Sequence, residues 1–395
     1  MFERFEIASV FSTGKADGYP SVCRRLLERA LMFFALLLSA FCVSDANSAP
    51  QDSNSPTLQP IAGDPLPGLS PEELARFESG LLAYSTPVTI EEGLGPIYNK
   101  RFCGACHSQP LGGAGVITVI NFGRFENNTF DPMEHLGGPV LQSEVIPGVD
   151  LACGPEDVPA FTNVVSPRLT LGTLGYGLIE ALSENEIIAG ADPEDLDNDG
   201  IRGLARMVMP REDVGQPGAV EKVGRFGWKS QAPTVLTFSI GASKEELGLT
   251  SPFMPLESLP NGPDGPNFAC DTVPDPELPD PRTNPDSFLA RVNDFQRFLA
   301  APPQTPPSGM TGEQLFIDIG CAACHRPSWV TSDDPGLEDA LRDKTIKPYS
   351  DLLLHDMGSR LRDRIIDGIA SDTHFRTPAL WNLRARPRLM HDGGA

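Results

Sequence analysis

The chain has 395 residues, enough for two or three domains of ordinary size, and its 40% apolar and 21% charged content excludes wholesale disorder. It carries 39 prolines and 38 glycines without a G-X-Y period, which excludes collagen and predicts long ordered loops. The formal charge of −22 excludes nucleic acid as a partner, because phosphate binding needs a basic face.

In chain order, Arg24, Arg25 and Arg29 precede a 14-residue apolar run from Ala30 to Val43, and the small residues Ala46 and Ala49 follow as cleavage points. This pattern predicts a secretory signal over residues 1–49 and a periplasmic mature chain. The run is shorter than the ~20 residues of a spanning helix, so no stable membrane insertion is expected after cleavage. Residues 1–49 hold five charges of each sign, which leaves the whole −22 on the mature chain.

Ser70-Pro71-Glu72-Glu73 has the signature of a helix start, with Ser as cap, Pro in the first turn and Glu three residues on. Ser183 to Glu186 and Thr311 to Gln314 repeat that signature. Phe288, Val292, Phe295 and Leu299 fall at helical spacing and predict an amphipathic helix over residues 286–300. Residues 255–285 are proline-rich without a usable period, a loop and a natural boundary. Alternating strand patterns are scarce. The expected fold is mainly α, with short helices joined by long Pro/Gly-rich loops. The expected organisation is an N-terminal domain over 50–285 with loop insertions and a C-terminal domain over 286–395.

Cys103-Gly-Ala-Cys106-His107 and Cys321-Ala-Ala-Cys324-His325 both have the C-x-x-C-H spacing of a c-type haem attachment site. On a helix, residues i and i+3 share a face, so both thiols reach the two vinyl groups of one porphyrin. The His at i+4 then supplies the proximal iron ligand. A thioredoxin-like pair would need a βαβ setting, and a four-cysteine zinc site would not call for a His after each pair. Two c-type haems are therefore expected. Cys153 and Cys270 are left over. In an oxidising compartment they form a disulfide, or else remain buried thiols or an iron ligand.

Asp195, Asp197 and Asp199, closed by Gly200, match the start of a calcium loop, although position twelve is Arg206 and not Glu. Such Asp/Asn/Gly turns also occur without a metal. Candidate sixth iron ligands are His135 near the first motif, and His355, Met357, Met390 or His391 near the second; Met357 has the chemistry of a high-potential haem.

Longer strings around both motifs resemble the bacterial di-haem oxidoreductases, a family described as peroxidases and more distantly similar to di-haem cytochrome c peroxidases and rubber oxygenases. The strings include residues 93–107, 166–182 and 224–235 (with Trp228-Lys229-Ser230-Gln231), 346–358 (with His355-Asp356-Met357-Gly358) and 375–395 (with Arg376 to Trp381). The resemblance implies two cytochrome-c-like haem domains with electron transfer between them. It makes Trp228 similar to the inter-haem tryptophan of related enzymes, the alternative being core packing. Related peroxidases also hold calcium between their haems. Family members continue beyond the point where this chain stops at Ala395, so the C-terminal domain is expected to be cut short at its end.

Glu180 follows Arg168 by twelve residues in a segment echoing that of Arg376. Glu180 is thus a candidate distal acid–base, or an Arg-paired residue. Arg168 and Arg376 are candidates for haem propionates. The expected function is a redox enzyme with one reactive and one electron-transfer haem, a small-molecule oxidant such as peroxide, and a basic cytochrome or cupredoxin as partner. The alternatives are a plain electron carrier and a haem-dependent oxygenase.

Overall fold

The computed structural model describes residues 59–146, 154–263, 273–304 and 311–395. The expected signal over 1–49, and both Cys153 and Cys270, lie outside the described residues. Helix α1 (Pro71–Ser85) begins as its sequence dictates. The Ser70 hydroxyl accepts from the Glu73 amide, and the Glu73 carboxylate accepts from the Ser70 amide, which closes a capping box. Helix α2 (Cys103–Cys106) is a single turn. Helices α3 (Tyr176–Glu180) and α4 (Glu184–Ala189) are also short, and Ser183 starts α4 without a side-chain cap bond. Helix α5 (Val235–Leu247) is capped by Thr234, α6 (Phe288–Phe298) by Ser287, and α7 runs Thr311–Asp318.

The strands, numbered along the chain, are β1 (Ile97–Tyr98), β2 (Thr118–Glu126), β3 (Thr129–Asp131), β4 (Glu144–Val145), β5 (Val164–Leu169), β6 (Met207–Val208), β7 (Lys222–Val223), β8 (Trp329–Val330), β9 (Thr345–Ile346), β10 (Leu354–Asp356) and β11 (His374–Arg376). They form one three-stranded antiparallel sheet, in the order β3-β2-β5, and four two-stranded pairs. Pro167 sits on the edge strand β5, where its missing N–H costs no ladder bond.

This overturns the mainly-α expectation with cytochrome-c-like domains. Among the described residues 24% are helical and 17% are in strand, spread over seven helices and several small sheets. Three of those helices have four to six residues and so add little helix. Among the described residues, no helix is long and apolar enough to cross a membrane.

Residues Gln59–Ala395 form one compact unit. Its most tightly closed contact is the crossing of α1 and α6, where Phe77 stacks on Phe295 at 5.3 Å between ring centroids and Tyr84 leans on the same ring at 4.6 Å. The 286–300 periodicity is realised here, with Val292, Phe295 and Leu299 all buried. Gly80 permits the approach, since a Cβ there would lie 2.2 Å from the Arg291 carbonyl oxygen. A second core gathers Tyr176, Ile179, Phe226, Trp329, Leu353 and Trp381. Hairpin β10–β11 sets His355 opposite Phe375.

Gly80→Val forces α1 and α6 apart. It is expected to lower stability by about 1–3 kcal/mol in denaturant unfolding, the range of overpacked cores. An unchanged midpoint would show that the crossing does not depend on this glycine.

Candidate functional site

The first C-x-x-C-H stretch fills α2, whose single turn places both thiols on one side. The His107 amide closes that turn on the Cys103 carbonyl at 3.0 Å, and the His107 backbone then leaves helical geometry. Both thiols are free, and burial pushes each up to about 12. The loop beyond the turn folds back tightly, since a Cβ on Gly115 would lie 1.9 Å from the Cys106 carbonyl oxygen.

His107 is enclosed. Burial pushes its imidazole down to about 4, and the carbonyls of Leu171 and Gly113 only partly oppose that fall. Its buried Nδ1 has no hydrogen-bond partner. A neutral imidazole with an unused ring nitrogen is the form that ligates a metal. The backbone facing it is held from several sides. Thr170 and Thr173 bond Ile117 and Gly112, and the Leu169 amide donates to the His391 carbonyl.

The second stretch begins as a 3₁₀ turn, Cys321–Ala323, after Gly320 at φ 86°. Its thiols are also free. His325 Nδ1 lies 2.7 Å from the Tyr349 carbonyl oxygen, to which it donates, leaving Nε2 for a metal. Beside the thiols, α7 and its exit expose Leu315, Ile317 and Ile319, an apolar surface suited to a porphyrin face. His355 Nδ1 sits 3.9 Å from Cys324 Sγ, and its Nε2 is 2.7 Å from Asp351 Oδ2. Both donor sets fit haem.

Trp228 stands between the two regions. Its indole donates to the Leu169 carbonyl at 3.0 Å, and its own carbonyl accepts from the Arg376 amide at 2.8 Å, at the end of β11. Arg376 is buried, and among the described residues its guanidinium is bonded to the carbonyls of Gly227 and Thr377. Arg168 is elsewhere, paired with Asp363. Lys229, 3% exposed, shares that carboxylate, and burial pulls its ammonium down to about 8. Its Nζ lies 4.2 Å over Phe375, on which His391 stacks at 4.3 Å.

Glu180 lies at the end of α3 with both oxygens taken. One accepts from the Val235 amide at the start of α5, and the other from Arg297, which forks onto Glu338 as well. Met357 and Met390 are about half exposed, and His135 is exposed. In the acidic loop the carboxylates that converge are Asp192, Asp195 and Asp197, whose oxygens lie within 4.8 Å of one another. Asp199 instead accepts from the Ile201 amide. Sequence reasoning missed Asp192, and it missed Lys229, Asp363, Tyr176, Arg225 and Arg386 because their partners come from distant segments. The only local signal was the basic run Arg384, Arg386, Arg388.

A family model described as "Di-haem oxidoreductase, putative peroxidase" matches residues 162–395, more than half of the chain. The match includes Cys321–His325, while Cys103–His107 lie ahead of it. No curated protein and no solved structure matches the chain.

Glu180→Gln weakens two charge-assisted bonds but leaves Arg297 on Glu338. Stability is expected to fall by about 1–3 kcal/mol, with haem content and visible spectrum unchanged. A perturbed haem spectrum at unchanged stability would instead give this carboxylate an acid–base role.

Proposed function

The chain belongs to the di-haem oxidoreductase family, and on that premise we propose an exported enzyme with two covalently attached c-type haems and peroxide as its oxidant. Cys103, Cys106 and His107 would hold one haem, and Cys321, Cys324 and His325 the other. When bound, haem supplies a redox-active iron with a position open to the oxidant. The observation that carries this reading is that each motif joins two free thiols to an imidazole with a ring nitrogen available for iron.

The chain's own residues do the positioning. The Tyr349 carbonyl fixes the tautomer and ring plane of His325. Burial of the His107 Nδ1 keeps that imidazole neutral, the form that ligates iron. Trp228 links the backbone facing His107 to the hairpin that carries His355, so it is placed to conduct between the sites. Near the second site the sixth-ligand candidates are His355, beside Cys324, and Met357, on the turn just after β10. Arg376, with no carboxylate partner among the described residues, suits a propionate better than Arg168, which already holds Asp363. The acidic charge favours a basic cytochrome or cupredoxin as electron-transfer partner, with a docking rate that falls as salt rises. The same reading gives the Asp192, Asp195 and Asp197 loop a calcium ion.

The test is the visible and EPR spectrum of holoprotein, oxidised and half-reduced. A high-spin fraction in the half-reduced form is expected, followed by peroxide turnover. Two low-spin irons in both states would overturn the enzyme reading and leave an electron carrier. Trp228→Phe is expected to slow turnover on the order of tenfold, about 1.4 kcal/mol in barrier, with haem content intact. Unchanged turnover would remove Trp228 from the path.

A further inference from the structure

We propose that a small cavity behind the first motif is a carboxylate-binding site, in which Arg386 and Arg376, together with the Tyr176 hydroxyl, receive the propionates of the haem attached at Cys103 and Cys106. The inference rests on the covalent haem proposed for that motif and deepens it by adding Arg386 and Tyr176, which no motif singles out, to Arg376.

The cavity has a volume of about 40 Å³, and Leu171, whose carbonyl faces His107, lines it together with Tyr176, Arg225, Arg376, Trp381 and Arg386. That space suits a small polar head and not a macrocycle. Three guanidinium groups border it, and their hydrogen bonds are poor in negative charge. Arg376 donates to two backbone carbonyls. Arg225 donates to the carbonyls of Ile179, Glu180, Leu182 and Val223, with only a 3.7 Å approach to Glu184. The buried Nε of Arg386 has no hydrogen-bond partner, and neither Arg376 nor Arg386 forms an ion pair among the described residues. Asp351 is the carboxylate that acts on Arg376 electrostatically, but its two oxygens are occupied by the Leu353 amide and His355.

Burial accordingly lowers the pKa of all three arginines. Unpaired buried cations are costly, and a chain of charge −22 has carboxylates to spare, yet none faces this space. A guanidinium fork and a carboxylate match in geometry and charge, so a ligand carboxylate would relieve the burial cost of both arginines.

The test uses holoprotein and reads midpoint potentials by spectroelectrochemistry. Haem per chain is first counted in a Cys103→Ala, Cys106→Ala variant. Loss of one haem is expected and identifies which midpoint belongs to the first site; retention of both would overturn the covalent-haem reading itself. In Arg386→Gln, removing a positive charge beside the propionates stabilises the ferric form. The first midpoint is therefore expected to shift downward, the second to stay, and both haems to remain attached. Arg386→Lys should restore most of the shift. If Arg386→Gln does not accumulate with both haems, Tyr176→Phe removes only a hydroxyl and is expected to move the same midpoint in the same direction. Unmoved midpoints in a variant with both haems would overturn the inference alone. So would saturable perturbation of the first haem's spectrum by added acetate in the wild type and not in Arg386→Gln, which would assign the cavity to a free carboxylate.

Discussion

The short backbone run from Leu169 to Thr173 is the constraint on which the rest of the site depends. Its amides, carbonyls and hydroxyls are bonded in four directions: to Ile117 at the start of β2, to Gly112 beyond the first motif, to the Trp228 indole and to His391. A backbone so bonded cannot drift, and Leu171, in its middle, is held against His107. The same run lines the arginine cavity through Leu171 and Gly172 before the chain enters α3 at Tyr176. The enclosure of His107, the placing of Trp228 and the floor of the cavity are thus three consequences of one clamp.

Charge is distributed with the same economy of position. Where a cation is buried for packing, a carboxylate accompanies it. Asp363 serves both Arg168 and Lys229, Glu180 and Glu338 share Arg297, and Asp367 meets Arg206. These pairs tie distant segments together, and removing one partner would leave the other charge buried. Against that pattern, Arg376 and Arg386 at the cavity behind His107 stand apart, because neither forms an ion pair among the described residues. The contrast within one protein separates a structural cation from one that awaits an anionic group.

The sequence was most legible where the governing physics is local. The capping box at Ser70 and Glu73, the 3.6-residue period through Val292, Phe295 and Leu299, and the two C-x-x-C-H motifs each depend on residues within a few positions of one another. The α-rich expectation failed because the missing elements are not local. β2 and β5 lie about 40 residues apart, and the pairing of Ile120 with Pro167 is hidden by a proline that only an edge strand tolerates. Glu180 shows the limit in a single residue. Both readings of it were open from sequence, and the choice depended on Arg297, 117 residues away. The cavity arginines were illegible for the same reason, since Arg225 and Arg386 meet only after the second core has closed around Tyr176.

The two attachment motifs are held in contrasting ways, and the contrast argues for a division of labour on the proposed reading. The first is a helical turn backed by its own returning loop and by the clamped backbone, with the Nδ1 of its imidazole buried. The second is a 3₁₀ turn packed against α7, a short helix that leaves apolar residues in solvent. Electron transfer from a partner protein needs a haem edge near the surface, whereas reaction with an oxidant benefits from a site that excludes water and fixes its polar groups in advance. We read the exposed apolar surface beside the second motif as the entry for electrons and the more closely backed first motif as the place for chemistry. Trp228, bonded on one side to the clamped run and on the other to β11, lies where such a division requires a connection.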